Sequence, residues 1–338
     1  MTFRQKILVV LISANDGSWL DECLNCLLES DFPDFHVIFI DNGSRDRTAT
    51  IGDKFSSRPN IHVVTLTHRC SFADANNIGF RFAEQNQFEY VFMLNADTRL
   101  HPAALRKLYE FMELNANFGV VGPLQTDYDL NDWRTLNEWS KTMTGFPAEN
   151  VVVNDDLSGR LLPCDYIQGA ALFTRVGLFA QIGILDRVFG TFYEETDFCR
   201  RVKAKGADIG ILTDCIVQHF GGGNWKKNEG VHLERDILFL RNQLIYVWSE
   251  NAGLKKRFFA LARCLFFQVT GLLRGQQGTR IGFTKYFGVV VQFVGALKWC
   301  KQIRIRSKKI EAQRPIDKTE YSIGPELERR LLSNRNDK

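Results

Sequence analysis

With 338 residues, 45% of them hydrophobic and 24% charged, the chain has a globular composition and room for one large domain with an appendage, or for two modest domains. Such a composition excludes wholesale disorder, and a net charge of +4 is too small, if spread evenly, to argue for nucleic-acid binding. The eight cysteines are scattered, and the opening "MTFRQKILVVLISANDG" has too short an apolar run for a secretory signal, so a reducing cytoplasm is expected.

From the start, short apolar runs alternate with amphipathic stretches. "KILVVLIS" precedes a helix at about 18–30, "HVIFID" one at about 48–55, and "IHVVTL" one at about 73–86, before "YVFMLN". This alternation predicts βαβ units and a mostly parallel sheet covered on both faces. Cys23 and Cys26 have redox-motif spacing, but they sit in "WLDECLNCLLES", where Leu20, Leu24, Leu27 and Leu28 repeat as one helix face. No second cysteine pair at metal spacing accompanies them, so they read as structural cysteines on a helix.

In an open sheet of this kind, ligands collect beyond the carboxyl ends of the strands. The residues there are Ser13, Ala14 and Asn15 after the first run, Asp41 to Ser44 after the second, and Asn95, Ala96 and Asp97 after the fourth. Neither a dinucleotide fingerprint nor a phosphate-binding loop follows the first strand, so the crevice is polar and acidic instead. Each loop alone is compatible with helix capping or turn chemistry. Asp97 in particular could cap the helix predicted from His101, close an ordinary turn, or hold a cation.

Beyond "FGVVGPL", residues 125–156 are polar, aromatic and aperiodic, as in a lid or an acceptor platform. "CDYIQGAALFTR" resumes a strand-like pattern around Gly169. Glu194, Glu195 and Asp197 then open a helix carrying Arg200, Arg201, Lys203 and Lys205. Salt bridges within that helix would explain the acids; a desolvated carboxylate acting as general base is the alternative. "DIGILTDCIVQHFGGG" ends a β-run at His219, which is either structural or, with Asp97, a ligand for Mg²⁺ or Mn²⁺.

Taken in order, "ILVVLISANDGSWLDECLNCLLES", "IFIDNGSRDRT", "FADANNIGF", "FMLNADTRLHPAAL", "QGAALFTR", "FYEETDFCRRVKAKG" and "VQHFGGGN" resemble the inverting glycosyltransferases of family 2, and in particular their bacterial rhamnosyltransferase-like group. The resemblance runs from Ile7 to Trp248 and implies an α/β, Rossmann-like GT-A fold. It implies transfer from a dTDP- or UDP-linked sugar, rhamnose-like among the candidates, to a hydroxyl of a glycan or lipid-linked acceptor in surface polysaccharide synthesis. Ser13 and Asn15 would flank the nucleotide, Asp41 contact its base, and Asn76 lie near the base or diphosphate. "NAD" stands where the family has Asp-x-Asp, so Asn95 would face the ribose and Asp97 bind a divalent cation (Mg²⁺ or Mn²⁺) that His219 completes. Gly169 and Ala170 would border the donor sugar. The departure is Glu194-Glu195 where the family commonly has Glu-Asp: Glu195 takes the base position, with Asp197 as the alternative. A nucleotidyltransferase and an inactive sugar-nucleotide-binding subunit are the rival readings.

The expected organisation is a catalytic domain over 1–248, with a nucleotide-binding half at 1–100 and an acceptor half at 101–248. Basic amphipathic helices follow at 249–307, then a flexible charged tail at 308–338. "LKKRFFALARCLFFQVTGLLRG" is too interrupted by charge to span a bilayer, and "YFGVVVQFVGALKW" is short. These stretches either pack on the catalytic domain or lie on an anionic membrane surface, which would make the protein peripheral on the inner face of the cell membrane.

Overall fold

The computed structural model describes residues 5–127, 161–220, 229–274 and 282–316. Strand β1, Ile7–Ser13, is buried along its whole length, as a strand covered on both faces must be. Leu8, Val10 and Ile12 enter one hydrophobic cluster, and Ile7, Val9 and Leu11 enter the other, so the two-residue period of the strand feeds two cores. The expected alternation follows as α1 (Leu20–Leu28), β2 (Phe35–Asp41), α2 (Thr48–Phe55), β3 (Ile61–Thr65), α3 (Phe72–Gln85) and β4 (Tyr90–Asn95). β3, β2, β1 and β4 lie side by side in that order and run parallel, so their carboxyl ends share one edge.

The next elements are β5 (Thr98–Leu100), α4 (Ala104–Leu114), β6 (Phe118–Asp127), β7 (Leu161–Pro163) and β8 (Ala171–Arg175). The short helix α5 (Phe179–Ile182), then α6 (Glu194–Ala204) and β9 (Asp208–His219), complete a nine-stranded sheet. β8 is antiparallel to β4 and β6, β6 is parallel to β9, and β5 and β7 pair antiparallel with β9. The sheet is therefore parallel among β1 to β4 and mixed beyond them. α3 can lie close on β1 because Gly79 has no side chain: a Cβ there would fall 2.4 Å from Val10 Cγ1. Gly79→Ala is expected to cost about 1–3 kcal/mol by overpacking, read as a lower denaturant midpoint at unchanged m-value.

Four helices follow: α7 (Glu229–Trp248), α8 (Leu254–Arg274), α9 (Phe283–Gly295) and α10 (Leu297–Glu311). They build a third cluster from Leu240, Leu244, Ile245, Val289, Phe293 and Cys300, which also takes in Phe189 from the loop ahead of α6. The helical layer thus begins with α7, earlier than the division at 248, because the apolar side of α7 faces α9 and α10. It also ends later than 307: Ile310 and Ile316 are buried in the first cluster, and α10 runs to Glu311. The expected lid beyond residue 127, Gly221–Gly223 and the tail from 317 lie outside the described residues.

Candidate active site

Sheet register makes neighbours of the polar strand ends: Ser13 pairs with Asp41, and Ile12 with Asn95. The loops behind them are laced together. Asn15, exposed and left-handed at φ 65°, accepts from the Arg45 amide at 2.7 Å and donates its own amide to Ser44 Oγ at 3.0 Å. Asp41 is 1% exposed, and its Oδ1 accepts from the Ser44 amide at 3.0 Å. Gly43 turns at φ +69° against the backbone of His68 and Arg69, leaving no room for a Cβ. Asn42 exchanges two hydrogen bonds with Cys70 and so fixes the segment leading into α3.

Asp97 sits in the turn between β4 and β5, held from several directions. Thr98 Oγ1 donates to the Asn95 carbonyl at 2.7 Å, the Asn95 amide donates to Ala170 O at 3.0 Å, and the Phe220 amide donates to Asp97 O at 3.0 Å. Because β5 pairs with the end of β9, Thr98 lies opposite His219. Asp97 Oδ1 is then 3.2 Å from His219 Nε2, yet that nitrogen is buried without an aligned hydrogen bond. The capping alternative fails on geometry: α4 starts at Ala104, and no side chain caps it.

An acid oxygen 3.2 Å from an imidazole nitrogen that has no aligned hydrogen bond suits a hard or borderline divalent cation. No third His, Cys, Asp or Glu joins them among the described residues. The pair therefore fits a cation that takes its other ligands from water and a substrate, as Mg²⁺ commonly does.

Gly169 stands beside Phe72 and Met93, whose side chains would lie 3.2 Å from a Cβ there. Asn76, in the first turns of α3, is fully buried; its amide group donates to Phe72 O at 3.0 Å while its Oδ1 has no partner.

The first turn of α6 carries the carboxylates, and the loop before it sets their position. Phe192 and Tyr193 both adopt φ 71°, a costly conformation for bulky residues that surrounding structure must impose. Asn242 on α7 supplies much of that restraint, its side-chain amide reaching the carbonyls of Phe189, Thr191 and Phe192 at 2.6–2.8 Å. Asn77 clamps Leu185 through both backbone groups, at 2.9 and 3.0 Å. Buried Asp186 pairs with Arg306 of α10. The α3 amino end docks on the same loop, the Ala73 amide donating to Gly190 O at 2.8 Å.

The three acids of α6 separate by environment. Asp197 is fully buried; burial would raise its pKa, but Arg201 and Arg200 beside it outweigh that and hold it below the ordinary range. Arg201 Nε donates to Asp197 Oδ2 at 2.8 Å, and its other nitrogens donate to Ile182 O and Ile184 O. Glu194 is 3% exposed; burial and then the adjacent Glu195 charge push it well above the usual carboxylate range. Burial also raises Glu195, and Oε2 of each glutamate has no hydrogen-bond partner. Asp197 is committed to structure, whereas Glu194 and Glu195 have acid–base capacity in reserve.

Ser13, Asp41 and Asn95 are thus gathered at one edge, Asp97 and His219 at its margin, and Glu194–Glu195 in the first turn of α6, behind a loop braced against α3. Sequence reading did not single out Asn242, Asp186 or Arg306, whose partners are 50–120 residues away. It also passed over Trp19 and Phe220, stacked at 4.2 Å next to His219. An aromatic directly after the late histidine was the available hint.

The half-parallel sheet, the acid in the β4–β5 turn and the strand that returns a histidine to it describe the GT-A fold. Residues 8–166 match the model of Glycosyl transferase family 2. The chain is 25% identical over 177 residues to the low-salt glycan biosynthesis hexosyltransferase Agl10 of Haloferax volcanii, which covers 51% of this chain and 55% of the relative. It is 23% identical over 198 residues to the dTDP-rhamnosyl transferase RfbF of Shigella flexneri, covering 59% and 64%. The match thus spans less than two thirds of the length of either relative. The mannosyltransferase PcManGT from Pyrobaculum calidifontis, solved with GDP-Man and Mn²⁺, has a TM-score of 0.54 at 13% identity, covering 98% of this chain and 89% of that one. At that identity the likeness is one of fold.

Proposed function

We propose that this protein is an inverting glycosyltransferase that moves a sugar from a nucleoside-diphosphate donor to a hydroxyl of a glycan or lipid-linked acceptor, in building a surface polysaccharide. The observation that carries the reading is the Asp97–His219 pair, 3.2 Å apart at the margin of the strand-end crevice, with the imidazole nitrogen otherwise unsatisfied. Support for the donor class comes from RfbF, named a dTDP-rhamnosyl transferase, and from PcManGT, solved with GDP-Man and Mn²⁺. A dTDP-sugar is the first donor to test and UDP-sugars the next.

In this reading Ser13, Asn15, Asp41 and Asn95 border the nucleotide, the Gly169 backbone borders the sugar, and Asn76 backs the wall. Glu195 removes the proton of the acceptor hydroxyl. The acceptor oxygen bonds to the anomeric carbon from the face opposite the diphosphate, the carbon–oxygen bond to the diphosphate breaks, and configuration inverts. Burial favours the neutral form of Glu194, which can hydrogen-bond Glu195 and hold it in place. Asp97 and His219 would hold a divalent cation, which when bound compensates the charge of the departing diphosphate.

A thermal-shift panel of nucleotide sugars, with and without Mn²⁺, tests the reading. A donor at 100 times its Kd should stabilise the fold by about 2.7 kcal/mol and raise the melting midpoint accordingly. Asp97→Ala is expected to abolish the Mn²⁺ effect on donor affinity while leaving the unliganded midpoint little changed. A panel in which no nucleotide sugar shifts the midpoint sinks the proposal, and slow donor hydrolysis separates an enzyme from a mere binder.

A further inference from the structure

Helix α8 is apolar on two sides. Leu261, Cys264, Leu265 and Val269 pack inward on the third cluster, with Gln268 buried among them. The opposite side shows Phe258, Phe259, Phe266 and Phe267 at 65%, 73%, 64% and 60% exposure. A helix with two apolar faces needs a second apolar environment. α9 repeats the pattern: Tyr286, Val289 and Phe293 face inward, while Phe287, Val291 and Val294, spaced by four and three residues, face out at 69%, 53% and 55%. The two helices are joined where Tyr286 Oη donates to Gln268 Oε1 at 2.9 Å.

The charges around these rings select the occupant. Exposed Lys255, Lys256 and Arg263 flank the phenylalanines of α8. On α10, Lys298 stands 5.1 Å from the ring of Trp299, itself 44% exposed, and Lys301 is exposed beside it. Glu311 is the only acid on α8, α9 and α10. Asp165 and Glu250 line a cleft with Arg263 and Phe267, but rings bordered on their own helices almost wholly by cations complement a plane of hydrocarbon rimmed by phosphate. No described helix is long and apolar enough to cross a membrane, so the contact is in-plane.

We propose that the outer face of α8, flanked by α9 and the basic start of α10, is a docking surface for an anionic phospholipid bilayer. The phenyl rings enter the headgroup–acyl boundary and the lysines and arginines meet lipid phosphates. A second copy of the chain would instead have to bring like-charged residues together around the same rings.

The test is flotation of the full chain, without donor or acceptor, with equimolar phosphatidylglycerol–phosphatidylcholine vesicles and with phosphatidylcholine vesicles alone. The chain is expected to float with the first at least about tenfold better than with the second, and to be partly released on raising salt from about 0.15 to about 1 M. Phe259→Ser with Phe266→Ser should reduce flotation to background at an unchanged melting midpoint, and Lys255→Glu with Lys256→Glu should remove the preference for anionic lipid. The proposal is overturned if the wild-type chain stays with the soluble fraction beside anionic vesicles, or if the serine variant floats as well as wild type. A dimer that the serine variant dissociates, with no flotation, assigns the face to a second copy instead. Because no sugar nucleotide enters the measurement, its failure is distinct from failure of the glycosyltransferase reading.

Discussion

A Glu195→Gln variant is expected to bind donor as the unaltered protein does and to lose turnover by about 10²–10⁴-fold, the range for removing a positioned general base. The amide keeps the shape of the side chain, so the loop held by Asn242 should not move. Loss confined to kcat, with the donor-induced thermal shift retained, is the signature; unaltered turnover would remove Glu195 from the mechanism. Because burial raises the Glu195 pKa, its base form accumulates only above the usual carboxylate range. Activity should therefore fall as pH drops through a value above the ordinary 4.3 or so of a glutamate. Asp197, held below the ordinary range by its two arginines, supplies no such limb. Glu195→Asp, which withdraws the carboxylate by roughly one carbon–carbon bond of about 1.5 Å, is expected to fall between the two.

Arg201→Met should be the most destabilising single change, at about 3–5 kcal/mol, the cost of stripping one partner from a buried ion pair. Arg201 is 1% exposed and ties Asp197 to the carbonyls of Ile182 and Ile184, so the change strands two carbonyls and leaves buried Asp197 with Arg200 alone. At about 2–4 °C per kcal/mol for a large domain, the melting midpoint should drop by roughly 10 °C. The sign with pH is a second check. Asp197 has a depressed folded pKa, so its contribution is present above the unfolded value near 3.9 and is lost as pH falls through the folded one. Arg201→Met should flatten that acid slope. Asp197→Leu combined with Arg201→Met should recover part of the loss, since apolar replacement of a whole pair costs less than orphaning one charge.

What was legible in the sequence was what local pattern encodes. β1, β2 and β4 were visible as apolar runs, and Asp41 and Asp97 as the polar residues closing them, because a buried strand must stay apolar until it leaves the core. The acids of α6 were legible as a cluster, and helix spacing gave Asp197 its partners: Arg200 and Arg201 stand three and four residues on, where Glu195 has Phe198 and Cys199. Only folding brings the Ile182 and Ile184 carbonyls that complete the Arg201 bonds. The expected break at 248 followed from the change to basic composition. Contacts between Phe189 and α7–α10 depend on chain segments far apart, and no local period reports them. Asn242 was illegible for the same reason: one amide in an amphipathic helix looks like any surface residue until three carbonyls are found around it.

The pairing of Asp186 with Arg306 spans 120 positions, from the loop that precedes Glu194 to the last described helix. During synthesis at about 5–20 residues per second, the acid would leave the ribosome roughly 6–24 seconds before its arginine. Until Arg306 is made, Asp186 lacks the ion-pair partner beside which the folded loop buries it. A product truncated before α10 should therefore hold that loop less tightly and be cut there by proteases more readily than the full chain.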